Sequence, residues 1–527
     1  MQAASSPIRF FHRGAIREVA RASCTRTVLD WLREDARRTG TKEGCNEGDC
    51  GACTVVIGTL AATGDPASVR GLRLETVNAC LRFLPTLDGK ALFTVDDLAR
   101  AAPGAAPELH PVQQAMVRSH ASQCGFCTPG FVMSLWALYE QTLAVPGTPR
   151  LQRQRIADEL SGNLCRCTGY RPILDAGEAM FDGAPVRLDT VPVVAALEAL
   201  RAARDDARRA GGEGFVFAGT DGRFHAPASV DALAKLRAEL PHARLFAGAT
   251  DVALWVNKSH RLLGDLIWLG EVEGFAAIER RPGLLRVGAA ASLDAAFGAL
   301  VDEYPSLSEV WMRFASPPVR HAGTMGGNLA NGSPIGDAAP VLMVLDARLE
   351  LRAGDVTREV PLEAFYVDYM KNVLAGDEFV QAILVPLPIR RREVRAWKVS
   401  KRFDCDISAV CGAFALELDA GVVKSVRIAF GGMAATVRRA TKTEAALVGR
   451  AWDKAAIDAA VGVLAEEFSP LSDMRASAKY RRNIACRLLL RFWLETRLVG
   501  SLAPGQVSVF APMAQARRQA LLQRGDA

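Results

Sequence analysis

Eight of the twelve cysteines in this 527-residue chain lie between positions 45 and 167, in two groups of four with different spacings. The first group is Cys45, Cys50, Cys53 and the later Cys80. That is C-x4-C-x2-C with a distant fourth thiol, the spacing of a plant-type [2Fe–2S] ferredoxin loop. The second is Cys124, Cys127, Cys165 and Cys167, or C-x2-C…C-x-C. Each group offers four thiolates, the number such a cluster takes. Zinc also takes four thiolates, but its sites usually pair two C-x2-4-C knuckles, which the first group fits poorly. Two clusters in one chain imply one-electron traffic. Gly44, Gly48 and Gly51 let the first loop bend tightly and aim N–H groups at sulfur. Cys24, Cys405, Cys411 and Cys486 stand alone and read as small packed residues.

The elements that must hold these residues follow from periodicity and breakers. Residues 8–11 and 16–19 read as a hairpin through Arg13-Gly14, Thr27 caps a helix, and 54–58 is a strand directly after the cysteine loop. Helical apolar spacing over 110–120, 131–142, 156–160 and 173–180 places both Cys pairs of the second group at helix ends. Residues 183–212, with Gly183, Pro185, Pro192 and Gly211-Gly212, read as a linker. Beyond it strands and helices alternate to about 370. Strands over 379–385, 408–418 and 425–430 then precede helices. Two small-residue turns interrupt this part: Gly248-Ala249-Thr250-Asp251, after a strand from Arg244, and Gly323-Thr324-Met325-Gly326-Gly327-Asn328. Both suit close approach of backbone N–H groups to a pyrophosphate. Neither is G-x-G-x-x-G, so a Rossmann site is not indicated.

Length predicts three or four domains. Residues are 50% hydrophobic and 23% charged, with net charge +6, which suits a globular chain. The arginines of 201–209 alternate with Asp205 and Asp206, the mark of a solvated helix face rather than a nucleic-acid surface. The first twenty residues carry charges and no apolar run, so no secretory signal is expected. No stretch approaches about 18 uninterrupted apolar residues, so no membrane span is expected either. Clustered thiols without an export signal suit a reducing compartment, and a cytoplasmic protein is expected.

Residues 44–54, 123–130 and 165–172 resemble the iron–sulfur part of the molybdenum hydroxylases. Gly248-Ala249-Thr250-Asp251, and Gly326-Gly327-Asn328 through Asp337, resemble their FAD domain. The resemblance covers about residues 8–495. The order, iron–sulfur first and flavin second with nothing after, resembles the small subunit of the two-subunit xanthine dehydrogenases of that family. It implies an α+β multidomain fold: a β-grasp [2Fe–2S] ferredoxin domain (1–95), a helical-bundle [2Fe–2S] domain (96–182), the linker (183–212), a two-part α+β FAD-binding domain (213–374 and 375–497) and a tail (498–527). Separate domain cores are expected.

The resemblance also implies roles. Leu245, Phe246, Ala247, Gly248, Ala249, Thr250, Asp251 and Val252 would wrap the FAD pyrophosphate and ribityl region, as would Thr324, Met325, Gly326, Gly327 and Asn328. Phe314 would lie beside the flavin nucleotide, Asp337 would contact FAD, and Val380 would lie near it. Lys398, Asp404 and Asp406 would sit on a charged loop by the flavin, where NAD approaches. A purine would be hydroxylated at molybdopterin-held molybdenum on a large partner subunit, in a heterotetramer of two small and two large subunits. Electrons would run through the second quartet's cluster, the first quartet's cluster and FAD to NAD+. No residue here would catalyse hydroxylation. An aldehyde or another N-heterocycle as substrate, and a non-redox zinc-bound interaction protein, stay open. Two departures stand out: Ala249 replaces a glycine common in relatives, and Cys405 is an oxidisable residue in the flavin-side loop.

Overall fold

The computed structural model describes residues 5–99, 108–145, 147, 151–388, 392–403 and 405–508. Two compact units form: one gathers Met1–Leu236, His242–Glu273 and Ser316–Gly323, the other Arg237–Pro241, Gly274–Ala315 and Thr324–Ala527.

The first unit begins with the expected hairpin. Ile8–His12 pairs antiparallel with Ala15–Val19, and Arg13 (φ 55°) and Gly14 (φ 72°) supply the two left-handed residues a tight hairpin needs. Thr27 starts a helix through a reciprocal capping box with Asp30, at 3.1 and 3.3 Å. Strands Thr54–Leu60, Leu72–Asn78 and Ala91–Phe93 complete a five-stranded sheet. Its spatial order is second, first, fifth, third, fourth, with the first and fifth strands parallel, which is the β-grasp arrangement.

Alternation along these strands sends side chains to two different cores. Phe11, Val56, Leu74 and Phe93 pack with Phe131, Leu135, Trp136, Ile156 and Ile173 of a helical bundle. That bundle comprises Pro111–Arg118, Thr128–Ala144, Arg153–Glu159 and Arg171–Ala179. Phe10, Val55, Ile57 and Leu92 face the other way, onto Leu29 and Leu32 and onto Phe217, Phe224, Phe246 and Trp268. The last four belong to a sheet of Gly214–Ala218, Arg223–Pro227, Leu266–Trp268 and Arg244–Phe246. The expected separate cores are therefore replaced by shared ones, because both faces of the β-grasp sheet are apolar.

The 183–212 connector differs from the loose run its Pro and Gly content suggested. It carries the 19-residue helix Val191–Arg209, which buries Val193, Leu197 and Leu200 at helical spacing. Pro192 falls in the helix's first turn, where its missing N–H costs nothing. The expected solvated face is present, and on it Arg208 pairs with Asp205 and Arg209 with Asp206.

The second unit holds an all-antiparallel sheet in the order Ile278–Arg281, Leu284–Gly288, Phe379–Pro386, Arg348–Ala353, Val356–Pro361. This sheet runs across residue 374. A four-stranded sheet of Arg392–Val399, Val410–Asp419, Val422–Gly431 and Arg438–Arg439 follows. It packs on Thr441–Leu447, Lys454–Glu467 and Ala478–Thr496 through Phe414, Phe430, Leu464 and Phe492. Among the described residues no helix is long and apolar enough to cross a membrane.

Candidate cofactor-binding sites

In the first quartet, the N–H of Cys50 points at Cys45 Sγ (3.3 Å) and the N–H of Cys45 at Cys50 Sγ (3.4 Å). The Cys53 and Cys80 sulfurs lie 3.3 Å apart and are buried. The Cys50 thiol donates to Cys45 and, against the effect of burial, backbone N–H groups of Cys50, Glu47 and Asp49 join it. Together they lower the Cys45 thiol to about 5. Negative charge on Cys45 is felt at both Cys53 and Cys80. The sulfurs meet as two pairs, Cys45 with Cys50 and Cys53 with Cys80, and this donor set fits a [2Fe–2S] cluster.

In the second quartet, Cys124 and Cys167 bring their sulfurs to 3.7 Å. Burial, and then the hydrogen bond with Cys165, raise the Cys127 thiol to about 12. Thr168 donates its N–H to Cys165 Sγ at 3.5 Å. Cys127 is the residue before Thr128–Ala144, and Cys165 and Cys167 precede Arg171–Ala179, so both pairs do sit at helix ends. Cys124 and Cys167 are exposed.

The two cysteine loops are joined by backbone. The Leu164 N–H donates to the Cys50 carbonyl at 3.0 Å. Asn163 Nδ2 donates to the Gly51 carbonyl (3.0 Å) and Thr54 Oγ1 (3.1 Å), while its Oδ1 accepts from Ser134 (2.7 Å). The approach requires glycine: at Gly51 (φ +68°) a Cβ would stand 2.1 Å from the Gly162 carbonyl oxygen. Asn163 and Ser134 carry no signal in cysteine spacing, and sequence reasoning missed them.

The first small-residue turn follows strand Arg244–Phe246 in the same unit. A Cβ on Gly248 would meet the Ala322 carbonyl oxygen at 1.9 Å, and Ala249 is held at φ 60°. Trp268 Nε1 fixes the Ala247 carbonyl at 2.9 Å. Among the described residues, the N–H groups of Gly248, Ala249 and Thr250 donate to no protein acceptor. Gly248 and Thr250 line a shallow surface depression with Val77, Asn78, Leu81, Arg82, Pro318 and Ala322. Burial lowers the Arg82 guanidinium to about 10. Free donors beside a glycine-tight turn and a cation fit the phosphates of a dinucleotide. Leu245, Asp251 and Val252 flank this turn half-buried, and Phe246 is buried. Helix Val252–Asn257 leads from it to the cysteines: Asn257 Nδ2 donates to the Cys80 carbonyl at 2.8 Å.

The second turn, in the other unit, is not the expected cradle of free N–H groups. It is the capped start of helix Met325–Asn331. Met325 and Gly326 donate to the carbonyls of Ala291 and Ala289 (both 3.0 Å), Gly327 donates to Thr324 Oγ1 (3.1 Å), and Asn328 donates to the Thr324 carbonyl (2.9 Å). Any fit to a cofactor here rests on shape, because Gly327 is exposed, and on Asn328 Oδ1, a buried acceptor without a donor.

The expectation for Lys398 also changes. It lies within strand Arg392–Val399, its side chain 3% exposed, and pairs with the equally buried Asp337 at 2.8 Å. Ser408 donates to the other Asp337 oxygen at 2.6 Å. Lys398 is thus no charge on a solvated loop; a matched carboxylate with a second donor makes its burial tolerable. Its Nζ stands 5.9 Å from the Phe314 ring, so Phe314, Asp337 and Lys398 do come together. Val380 is buried in the central strand opposite Leu351. Arg313 ties down the loop that follows, donating to the Lys398 (2.6 Å) and Phe403 (3.1 Å) carbonyls. Asp406 remains on that loop, accepting from the Arg402 N–H at 2.7 Å. Cys405 lies there at φ 65°. Asp404 lies outside the described residues.

Comparison with known proteins gives four domain matches. They are a 2Fe-2S iron-sulfur cluster binding domain over residues 11–83, a [2Fe-2S] binding domain over 94–178, the FAD binding domain in molybdopterin dehydrogenase over 218–388, and the CO dehydrogenase flavoprotein C-terminal domain over 395–496. Xanthine dehydrogenase of Calliphora vicina is 30% identical over 520 residues, covering 89% of this chain and 37% of that protein. The Drosophila subobscura xanthine dehydrogenase is 30% identical over 544 residues, covering 94% and 39%. The chain thus spans only 37–39% of the length of these relatives. A solved carbon monoxide dehydrogenase chain from Hydrogenophaga pseudoflava overlays 51% of this chain and 94% of its own length, at 26% identity and a TM-score of 0.49. On the domain matches and these long alignments, the chain belongs to the molybdenum hydroxylase family and carries its two [2Fe–2S] domains and its FAD-binding domain.

Proposed function

We propose that this chain is the electron-transfer subunit of a cytoplasmic xanthine dehydrogenase, receiving electrons from purine hydroxylation at a molybdopterin cofactor on a separate large chain and delivering them to NAD+. The observation that carries the proposal is the hydrogen-bonded continuity within one unit: second quartet, Leu164 to Cys50, first quartet, Cys80 to Asn257, first small-residue turn. Cys124, Cys127, Cys165 and Cys167 would hold one [2Fe–2S] cluster, and Cys45, Cys50, Cys53 and Cys80 the other. The free N–H groups of the first turn, with Arg82, would hold the FAD phosphates. When bound, the clusters carry single electrons and the flavin exchanges them for a hydride. This chain's residues supply the rest: Asn163 locks the spacing of the two cysteine loops, and burial of Cys53 and Cys80 keeps water from their sulfurs.

The test is reconstitution. The chain alone should contain about four irons and FAD, oxidise NADH with an artificial acceptor, and oxidise no purine until a molybdenum-bearing large chain is added. Stoichiometric zinc in place of iron, or purine oxidation by the isolated chain, would overturn the proposal. Aldehyde rather than purine oxidation by the reconstituted pair would move the substrate within the same family.

A further inference from the structure

Two residues at the far end of the helix after the first turn reach into the first cysteine loop. Asn257 Nδ2 donates to the Cys80 carbonyl at 2.8 Å and also faces the Asn46 carbonyl (3.4 Å) and Asn46 Oδ1 (3.3 Å). Every neighbour of that nitrogen is an acceptor, which sets the amide's orientation. Asn46 sits at φ 55°, so the amide braces a left-handed residue beside Cys45. The next residue, Lys258, donates its ammonium to the Cys45 carbonyl and stands 3.7 Å from Glu47. A neutral donor thus holds one ligand's backbone and a cation holds another's.

We infer that Asn257 and Lys258 are positioning residues for the first quartet, and that Lys258 raises the reduction potential of the cluster there; the inference rests on the iron–sulfur reading above. Taking up one electron adds one negative charge to a cluster already ringed by thiolates. A cation on the Cys45 carbonyl favours that reduced state, since net charge and hydrogen bonding set such potentials. Lys258 also offsets the Glu47 carboxylate, so its removal leaves a negative charge beside Cys45 unopposed. Its side chain is 44% exposed, so salt should screen the effect. The flavin-side segment would thereby tune the centre beside it.

The test is a redox titration of the full chain followed by electron paramagnetic resonance, comparing the parent with Lys258→Gln and Lys258→Arg. The signals of the two reduced clusters are assigned with Cys127→Ser. Lys258→Gln should keep its iron and lower the first cluster's reduction equilibrium about tenfold, a shift of about 59 mV for one electron. The second cluster should not move, Lys258→Arg should stay with the parent, and the shift should shrink in 1 M salt. An unchanged first-cluster potential in Lys258→Gln overturns the inference. So does selective loss of that cluster, which would make Lys258 an assembly residue. Absence of both signals and of iron from the parent would instead defeat the iron–sulfur reading itself.

Discussion

Asp337 and Lys398 each neutralise the other in a place water does not reach. Removing one partner of such a pair strands the other's charge, at a cost of about 3–5 kcal/mol. Lys398→Ala should therefore lower the urea midpoint of the second unit, and the double change Lys398→Met, Asp337→Leu should recover most of the loss. A Lys398→Ala protein of parental stability that reduces NAD+ slowly would return Lys398 to the loop role its sequence context suggested. The eight clustered cysteines were legible at once, because thiolate chemistry imposes both a residue type and a spacing. Asn163, Asn257 and Lys258 were not. An asparagine or lysine bonded to a distant carbonyl leaves no periodic trace, and the loops that supply those carbonyls lie 112 and 177 positions away for the two asparagines.

At the level of elements, the hairpin, the Thr27 cap and the helices flanking the second quartet could be read from turn residues and periodicity. Gly323 to Asn328 could not, since a capped helix start and a phosphate-binding turn share the same small residues. With the N–H groups of Met325 to Asn328 already committed, this element offers space and the Asn328 Oδ1 acceptor. Gly327→Val adds bulk at an exposed point where the nearest neighbour of a new Cβ is Thr324 Oγ1 at 2.9 Å. It should lose FAD while the iron content stays at the parental level; full FAD retention would remove this helix from the cofactor site. The 191–209 helix buries another consequence. Its Arg204 joins Glu271, which also holds Lys90 at 3.3 Å. Lys90 is lowered to about 8 by burial, with Glu271 opposing. A lysine whose folded value lies below its ordinary 10.5 binds fewer protons folded than unfolded between those limits. Stability should thus rise as pH climbs from about 8 towards 10, by up to about 3 kcal/mol, with the full penalty present below 8. Urea unfolding of the parent minus Lys90→Met across that range should show the slope; a difference that falls with pH would refute it.

Across the whole chain, the β-grasp sheet is the element on which the first unit depends, because one of its faces belongs to the helical bundle's core and the other to the flavin part's. Phe246→Ala, in the flavin part, should cost about 3–5 kcal/mol and reduce iron as well as FAD. Phe414→Ala, in the separate core of the second unit, should spare the iron. Equal iron in both variants would mean that the shared core does not support the cysteine loop. The sharing escaped sequence reasoning because strands buried on both faces carry no solvent-side pattern to mark where a domain stops. It also bears on how the protein is made. Cys53 and Cys80 are 2% and 1% exposed, in the same core as Phe83 and Phe246. Phe246 is separated from Cys80 by 165 residues of chain. A cell that delivers iron after those residues have folded home meets two sealed thiols, whereas delivery to the emerging chain meets open ones. Iron supplied during synthesis should therefore load more of the chain than the same iron added after folding, as iron analysis of the two preparations would show.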